Sequence, residues 1–320
     1  METKIDLKDK KILYQLDLNS RQSNAQIAKK VQLSKDSVGY RIKALEQKGI
    51  IRSYTTVIDS SKLGYLFYRV FFNLIDMNPK KLEELINYLK KQRNVWWIAK
   101  LDGAWNFAFA VWTKSNKEFQ EFYEKLGLNF RENIKEKLIS PIISYQNLSR
   151  TYLLENKQES KTTSAGESKK EQFDKTDLEI LKLLSKNARI PLIEIAHKLK
   201  LDNMTIYHRI KKLEKKKIIQ GYRVNIDFNL LKRDFYSVKI NLKNLTKLKE
   251  IKTHILTIPE AIATTEAIGS YDIEFDLEVE NSEQYFKIIE KLESKFEDIR
   301  EIIYFRVLKN YKILYMPEED

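Results

Sequence analysis

Apolar residues near the start of the chain recur at helical spacing three times: Ile12, Leu13 and Leu16, then Ile27, Ala28 and Val31, then Val38, Ile42 and Leu45. This i, i+3/i+4 rhythm predicts three short amphipathic helices. Ser23 followed three residues later by Gln26 makes a capping box for the second helix. Val31-Gln32-Leu33-Ser34 reads as a tight turn in which Ser34 caps the third helix, and Gly49 stops that helix. Ile50 to Ile58 is rich in β-branched residues and reads as extended chain. Three helices and a small β-element form a winged helix-turn-helix pattern. The rhythm then changes. Tyr68–Leu74, Val95–Leu101, Asn106–Trp112 and Ile142–Leu154 read as strands, with amphipathic helices at Pro79–Gln92 and Lys117–Asn129. A βαββαβ order predicts a ferredoxin-like α+β sandwich.

The whole pattern occurs twice. A shift of 168 residues lays Asp6–Asp59 on Asp174–Asp227 without a gap, and 22 of the 54 positions are identical. The second helical set is Leu178–Leu184, Leu192–Leu199 and Asn203–Lys216, with Asp202 as the equivalent cap. The second sandwich follows as Tyr236–Leu242, Leu248–Leu256, Ala261–Ile268, Asp272–Val279, Glu283–Phe296 and Ile302–Leu314. So long a period fits duplication of a whole module. The expected domains are residues 1–60 and 173–228 for the helical heads and 61–154 and 229–320 for the sandwiches. Residues 155–172 contain no large apolar side chain and read as a flexible linker, spanning roughly 25 Å as a coil.

Composition narrows the partners. The chain has 320 residues, no cysteine and three histidines, which excludes disulfides, thiolate metal sites and a histidine-rich metal cluster. No apolar run approaches a membrane span and no signal-peptide segment opens the chain, so a cytoplasmic protein with no membrane partner is expected. The net charge of +13 is unevenly placed. The heads carry +5 and +6, residues 61–172 carry +6, and residues 229–320 carry −4. All four tryptophans, Trp96, Trp97, Trp105 and Trp112, fall on the paired strands of the first sandwich. They are expected in the core or between sheets, with a ligand cage as the lesser alternative.

On the third helix the outward arc carries Asp36, Ser37, Tyr40, Lys43 and Gln47, with Ser34 and Lys35 at its start and Arg41 on its flank. The matching arc in the second half carries Met204, Thr205, His208, Lys211 and Lys215, flanked by Arg209, with Asn203 and Lys212 as further candidates for DNA contact. Short polar residues near a helix N-terminus with basic flanks suit a major-groove reader of double-stranded DNA, although a solvated helix face has the same look. The arcs share Arg41/Arg209 and Lys43/Lys211, but Ser37 becomes Thr205, Tyr40 becomes His208 and Asp36 becomes Met204. Shared backbone contacts with divergent base contacts predict two unlike half-sites.

Residues 5–65 and 173–231 resemble the Lrp/AsnC (feast/famine) transcription regulators. The resemblance rests on Asp6-x-x-Asp9-x-x-Ile12-Leu13, Ile27-Ala28, Leu33-Ser34, Val38-x-x-Arg41-Ile42-x-x-Leu45-Glu46-x-x-Gly49-Ile50-Ile51, Ile58-Asp59 and Leu63-Gly64-Tyr65. It implies sequence-specific DNA binding, and self-association through the sandwiches, here as a dimer fused into one chain. It also implies a small effector, often an amino acid, near a Gly-x-aromatic-Asp turn. That turn is Gly269-Ser270-Tyr271-Asp272 in the second half and Gly103-Ala104-Trp105-Asn106 in the first. Gly269, Tyr271, Asp272, Gly103 and Asn106 are thus the effector candidates, with Asp272 better suited than Asn106 to an ammonium group. A capping role for Asp272 is the alternative. Siroheme decarboxylases share the two-part architecture, but carry His and Arg on the strand corresponding to Val95–Leu101. Neither Val95–Leu101 nor Ala261–Ala267 contains His or Arg. The chain is therefore expected not to be an enzyme, and no cofactor is expected. A non-specific architectural DNA-binding protein is the remaining alternative.

Overall fold

The computed structural model describes residues 5–154, 160–166, 168–269 and 271–317. The first half contains helices α1 (Leu7–Leu18), α2 (Asn24–Val31) and α3 (Lys35–Gln47), followed by strand β1 (Ile51–Ile58). Then come β2 (Leu66–Leu74), α4 (Pro79–Lys91), β3 (Val95–Gly103), β4 (Phe107–Thr113), α5 (Asn116–Phe130), β5 (Ile134–Asn147) and β6 (Thr163–Gly166). The second half repeats the order with α6 (Lys175–Lys186), α7 (Leu192–Leu199), α8 (Asn203–Lys215), β7 (Ile219–Ile226) and β8 (Asp234–Leu242). It ends with α9 (Leu248–Ile255), β9 (Ala261–Ala267), β10 (Ile273–Val279), α10 (Ser282–Lys295) and β11 (Ile299–Ile313).

The local signals act as read. Ser23 and Gln26 form a capping box at α2, Ser34 accepts the Ser37 N–H at α3, and Asp202 accepts the Thr205 N–H at α8. Asp6 with Asp9 and Asp174 with Asp177 add capping boxes at α1 and α6. The turn into each third helix runs through a left-handed residue, Gln32 at φ 55° and Lys200 at φ 54°.

The β-element after each head does not fold back on its own head. β1 pairs antiparallel with β7 of the other half, Tyr54 opposite Val224, in a separate two-stranded ribbon. Each head's core is consequently completed by the opposite half. Val224 and Ile226 pack with Ile12, Ile27 and Ile42, while Ile58, Leu63 and Tyr65 pack with Ile180, Ile195 and Ile210. The crossing contacts repeat at a shift of 168. Ser20 N–H donates to Tyr222 C=O and Ala188 N–H to Tyr54 C=O, both at 2.9 Å. Arg21 bonds the Ala188 carbonyl and lies over the Tyr222 ring, and Arg189 bonds the Ser20 carbonyl and lies over the Tyr54 ring.

Each sandwich has its own four-stranded antiparallel sheet, β5-β2-β4-β3 and β11-β8-β10-β9, and the two sheets join edge to edge. β3 pairs with β11, and β9 pairs with β5. Because β5 also pairs with β2, the eight strands close into a ring. β5 and β11 are long, 14 and 15 residues, because each serves both sheets. The helix-facing side of each sheet buries a separate core: Tyr68, Val70, Phe72 and Phe109 against α4 and α5, and Tyr236, Val238, Ile240 and Phe275 against α9 and α10. The alternate residues face the interior of the ring, since successive side chains along a strand point to opposite faces.

The expectation of an unstructured linker is corrected where the structure describes it. Residues 163–166 form β6 on the edge of β5, and Thr163 is buried. Polarity alone missed this because a short strand can be held by backbone bonds. Here the Gly166 N–H and the Ser168 hydroxyl also donate to the Asp59 carboxylate, at 3.1 Å each. Residues 155–159 lie outside the described residues.

Candidate functional site

The outward arc of α3 is open. Ser34, Lys35, Tyr40 and Lys43 are exposed, Tyr40 to 76%, and Ser37 is half-buried by its position in the first turn. On α8, Asn203, His208, Lys211 and Lys212 are exposed and Thr205 is half-buried, its hydroxyl donating to Asp202 at 2.5 Å. The inward faces hold Val38, Ile42 and Leu45, and Ile206, Ile210 and Leu213, all buried. The fold therefore brings the expected residues together as two separate polar arcs, one per half. Lys211 also bonds Glu214 at 2.8 Å within the helix.

Arg41 and Arg209 are placed differently from the expectation of flanking phosphate contacts. Arg41 reaches Asp6 at 2.8 Å and Asp9 at 2.7 Å, and Arg209 reaches Asp174 at 2.7 Å and Asp177 at 2.8 Å. Each guanidinium thus pins the third helix to the capping box of the first. The bonds from Arg209 and from the Asp177 N–H hold the Asp174 carboxyl below the usual aspartate range. The cations on the arcs that remain extended toward solvent are lysines.

The five effector candidates lie on two turns, Gly103–Asn106 between β3 and β4 and Gly269–Asp272 between β9 and β10. The Asn106 side chain accepts the Leu74 N–H at 2.8 Å and donates to the Leu74 carbonyl at 2.9 Å. Asp272 accepts the Leu242 N–H at 2.7 Å. Both side chains therefore fasten a neighbouring strand, Asn106 holding β2 and Asp272 holding β8. Gly103 sits at φ +125°, and a Cβ there would stand 2.7 Å from the Tyr304 carbonyl. A Cβ at Gly269 would make an ordinary contact with the Ser140 hydroxyl at 3.7 Å.

Sequence reasoning missed the ring interior. Arg69 on β2 and Lys239 on β8 both bond Glu274 on β10, the lysine at 2.5 Å, and all three are buried. Burial pushes the Glu274 carboxyl up, but Arg69 and Lys239 outweigh it and hold it at about 2. Asp276 on the same strand accepts the Ser237 hydroxyl at 2.6 Å, and burial pushes its carboxyl up. A second network ties the first head to the ring. Buried Asp17 on α1 receives Arg223 of β7 at 2.7 Å and Arg150 at 2.8 Å, and Arg150 continues to Glu278 on β10 at 2.9 Å. The signal for these residues was present as strict alternation: Ile273-Glu274-Phe275-Asp276-Leu277-Glu278-Val279 reads as one apolar and one charged face. A closed ring buries both faces. Among the described residues no three His, Asp or Glu side chains are grouped to hold a metal ion.

Between the β1–β7 ribbon and the ring lies a cavity of about 340 Å³. Trp96, Trp97 and Trp112 line it, so three of the four tryptophans stand at the junction of the halves. Trp96 and Trp112 stack with ring centres 5.5 Å apart.

The family profile for winged helix-turn-helix DNA-binding domains matches residues 5–52 and 173–220. The chain is 35% identical over 124 residues to the transcriptional regulator LrpA of Pyrococcus horikoshii, which covers 38% of this chain and 86% of that protein. It is 34% identical over 124 residues to LrpA of Pyrococcus abyssi, with the same coverage. Among solved structures, the siroheme decarboxylase NirDL superposes over 98% of this chain and 94% of its own, with a TM-score of 0.65 and 14% identity. This likeness is one of fold, and it overturns the expectation that the chain is not an enzyme: an enzyme has this architecture along nearly its whole length. That exclusion rests on two strands, Val95–Leu101 and Ala261–Ala267, whereas the charged interior comes from β2, β8 and β10. At the level of sequence, the two matched heads and the regulators aligned over most of their length establish that the chain belongs to the Lrp/AsnC family of helix-turn-helix transcriptional regulators.

Proposed function

We propose that the chain regulates transcription as a dimer fused into one polypeptide, reading double-stranded DNA with α3 at one half-site and α8 at the other. The observation that carries this reading is the pair of exposed arcs on heads locked together by the β1–β7 ribbon. Lys35, Lys43, Lys211 and Lys212 supply phosphate contacts, and the resulting binding weakens steeply with salt. Ser37 and Tyr40 meet base edges in one half-site, and Thr205 and His208 in the other. The preferred operator is an imperfect palindrome, because these pairs differ in size and hydrogen-bonding capacity.

Selection of bound sequences from a random DNA pool, followed by footprinting, tests the proposal. The expected result is one protected site with two unlike halves. Tyr40→Ala should relax preference in one half and His208→Ala in the other. Two identical half-sites would overturn the divided reading, and equal affinity for every sequence would point to non-specific architectural binding.

A further inference from the structure

We infer that the cavity between the ribbon and the ring is a binding site for a small organic acid with an aromatic or otherwise flat apolar body. Its wall is aromatic and donor-rich. Trp96, Trp97 and Trp112 line it with Phe67, Phe71 and Phe235, which suits the face of a flat apolar ligand. Arg69, Arg150 and Arg223 also line it, against Asp276 as the acidic residue in the lining. The carboxylates that balance two of these arginines, Asp17 and Glu278, are not part of the lining.

The unpaired polar atoms of the wall point to the same ligand chemistry. Among the lining residues, Arg69 Nε, Trp96 Nε1, Trp112 Nε1 and Ser60 Oγ are buried without a hydrogen-bond partner, with Arg69, Trp112 and Ser60 only 8%, 4% and 1% exposed. The three nitrogens only donate, and the Ser60 hydroxyl can donate as well as accept. A buried donor left unpaired is costly, so such a group calls for an acceptor. A carboxylate supplies acceptors and charge together, while an ammonium would meet three guanidiniums. At about 340 Å³ the space lies at the small end of ligand cavities, which fits a one-ring acid.

The site is distinct from the Gly269–Asp272 turn, and it spans both halves. Thr55 and Thr56 come from β1, Asn225 from β7, Arg69 from β2 and Ser237 from β8. It is also asymmetric. Positions that match at a shift of 168 carry Arg69 in one half and Ser237 in the other, and Phe71 matches Lys239.

Titration of the full chain with 3-phenylpropionate, followed by calorimetry and tryptophan fluorescence, tests the site directly. The expected result is saturable binding with a fluorescence change, since three of the four tryptophans line the cavity. The neutral 3-phenylpropionamide should bind at least about tenfold more weakly and 3-phenylpropylamine not at all, as one charged hydrogen bond is worth about tenfold. Arg69→Lys keeps a cation for Glu274 but removes the Nε donor, and should weaken the acid by about tenfold. Ala165→Phe, on the edge strand β6, fills the space and should abolish binding while circular dichroism shows an unchanged fold. Absence of saturable binding to the folded wild type would overturn the site. So would equal binding of the amine, or undiminished binding to a folded Ala165→Phe protein.

Discussion

At Arg209 a residue that looks like a DNA contact also acts on the protein itself. Its guanidinium bridges exposed Asp174 and Asp177, whose side chain is only 2% exposed, whereas Arg41 bridges Asp6 and the less buried Asp9, 14% exposed. Removing the partner of the more buried carboxylate costs more, because that group is left without its charge-assisted bond. Arg209→Ala should lower stability by about 2 kcal/mol, and Arg41→Ala by about 1 kcal/mol, in urea unfolding. A reversed order would show that the pins do not set the difference. The lysines behave otherwise. Lys43→Ala should leave the unfolding midpoint in place and reduce the slope of log affinity against log salt by about 1. An unchanged slope, measured by fluorescence anisotropy on an operator duplex, would remove Lys43 from the phosphate contacts. An arginine and a lysine on one helical arc look alike in sequence. Only the position of Asp6 and Asp9 on the neighbouring helix separates their roles.

Among the elements, those defined by local chemistry were legible and those defined by a distant partner were not. The caps at Ser23, Ser34 and Asp202 act within three residues, so the helix starts follow from the sequence. The strand at Ile51–Ile58 was legible as a strand, but its partner, Ile219–Ile226 in the other half, was not. Nothing in a strand's own alternation says which strand it meets. The four residues of β6 were missed for a related reason: Thr163–Gly166 has weak β-propensity, and Asp59, more than 100 residues earlier, helps to hold it. Gly166 lies at φ +134°, and a Cβ there would stand 2.2 Å from the Ile143 carbonyl, which cannot yield without breaking the pairing. Gly166→Ala should therefore release β6 alone. Limited proteolysis should cut within residues 160–172 several-fold faster, with the main unfolding transition nearly unmoved because the two heads and the ring keep their cores. Equal cleavage rates would show that β6 docks by other means.

Over the whole molecule, duplication built a closed ring and divergence then filled it unequally. The inward positions of β4, Ala108, Ala110 and Trp112, correspond by register to Glu274, Asp276 and Glu278 of β10. One side of the ring is thus apolar and the other acidic, and the acidic side is answered by Arg69 and Lys239 from other strands and by Arg150 from the segment after β5. Such pairs specify an arrangement more than they stabilise it, yet breaking one is costly. Glu274→Gln leaves Arg69 and Lys239 facing each other in a buried site, and should cost about 3–5 kcal/mol at neutral pH. The pH dependence follows from the direction of the shift. Glu274 is held at about 2, below the ordinary glutamate value of about 4.3, so its stabilisation is complete above that value and is lost as pH falls toward about 2. Asp276 has the opposite sign: its carboxyl is raised, so its ionisation opposes folding as pH rises. Asp276→Asn, which can still accept the Ser237 hydroxyl, should therefore hold or increase stability at neutral pH. Urea unfolding at pH 7, 4 and 3 distinguishes the two effects. The gap between wild type and Glu274→Gln should narrow steadily below pH 4, and a gap that stays constant would mean that Glu274 does not hold the ring through its charge.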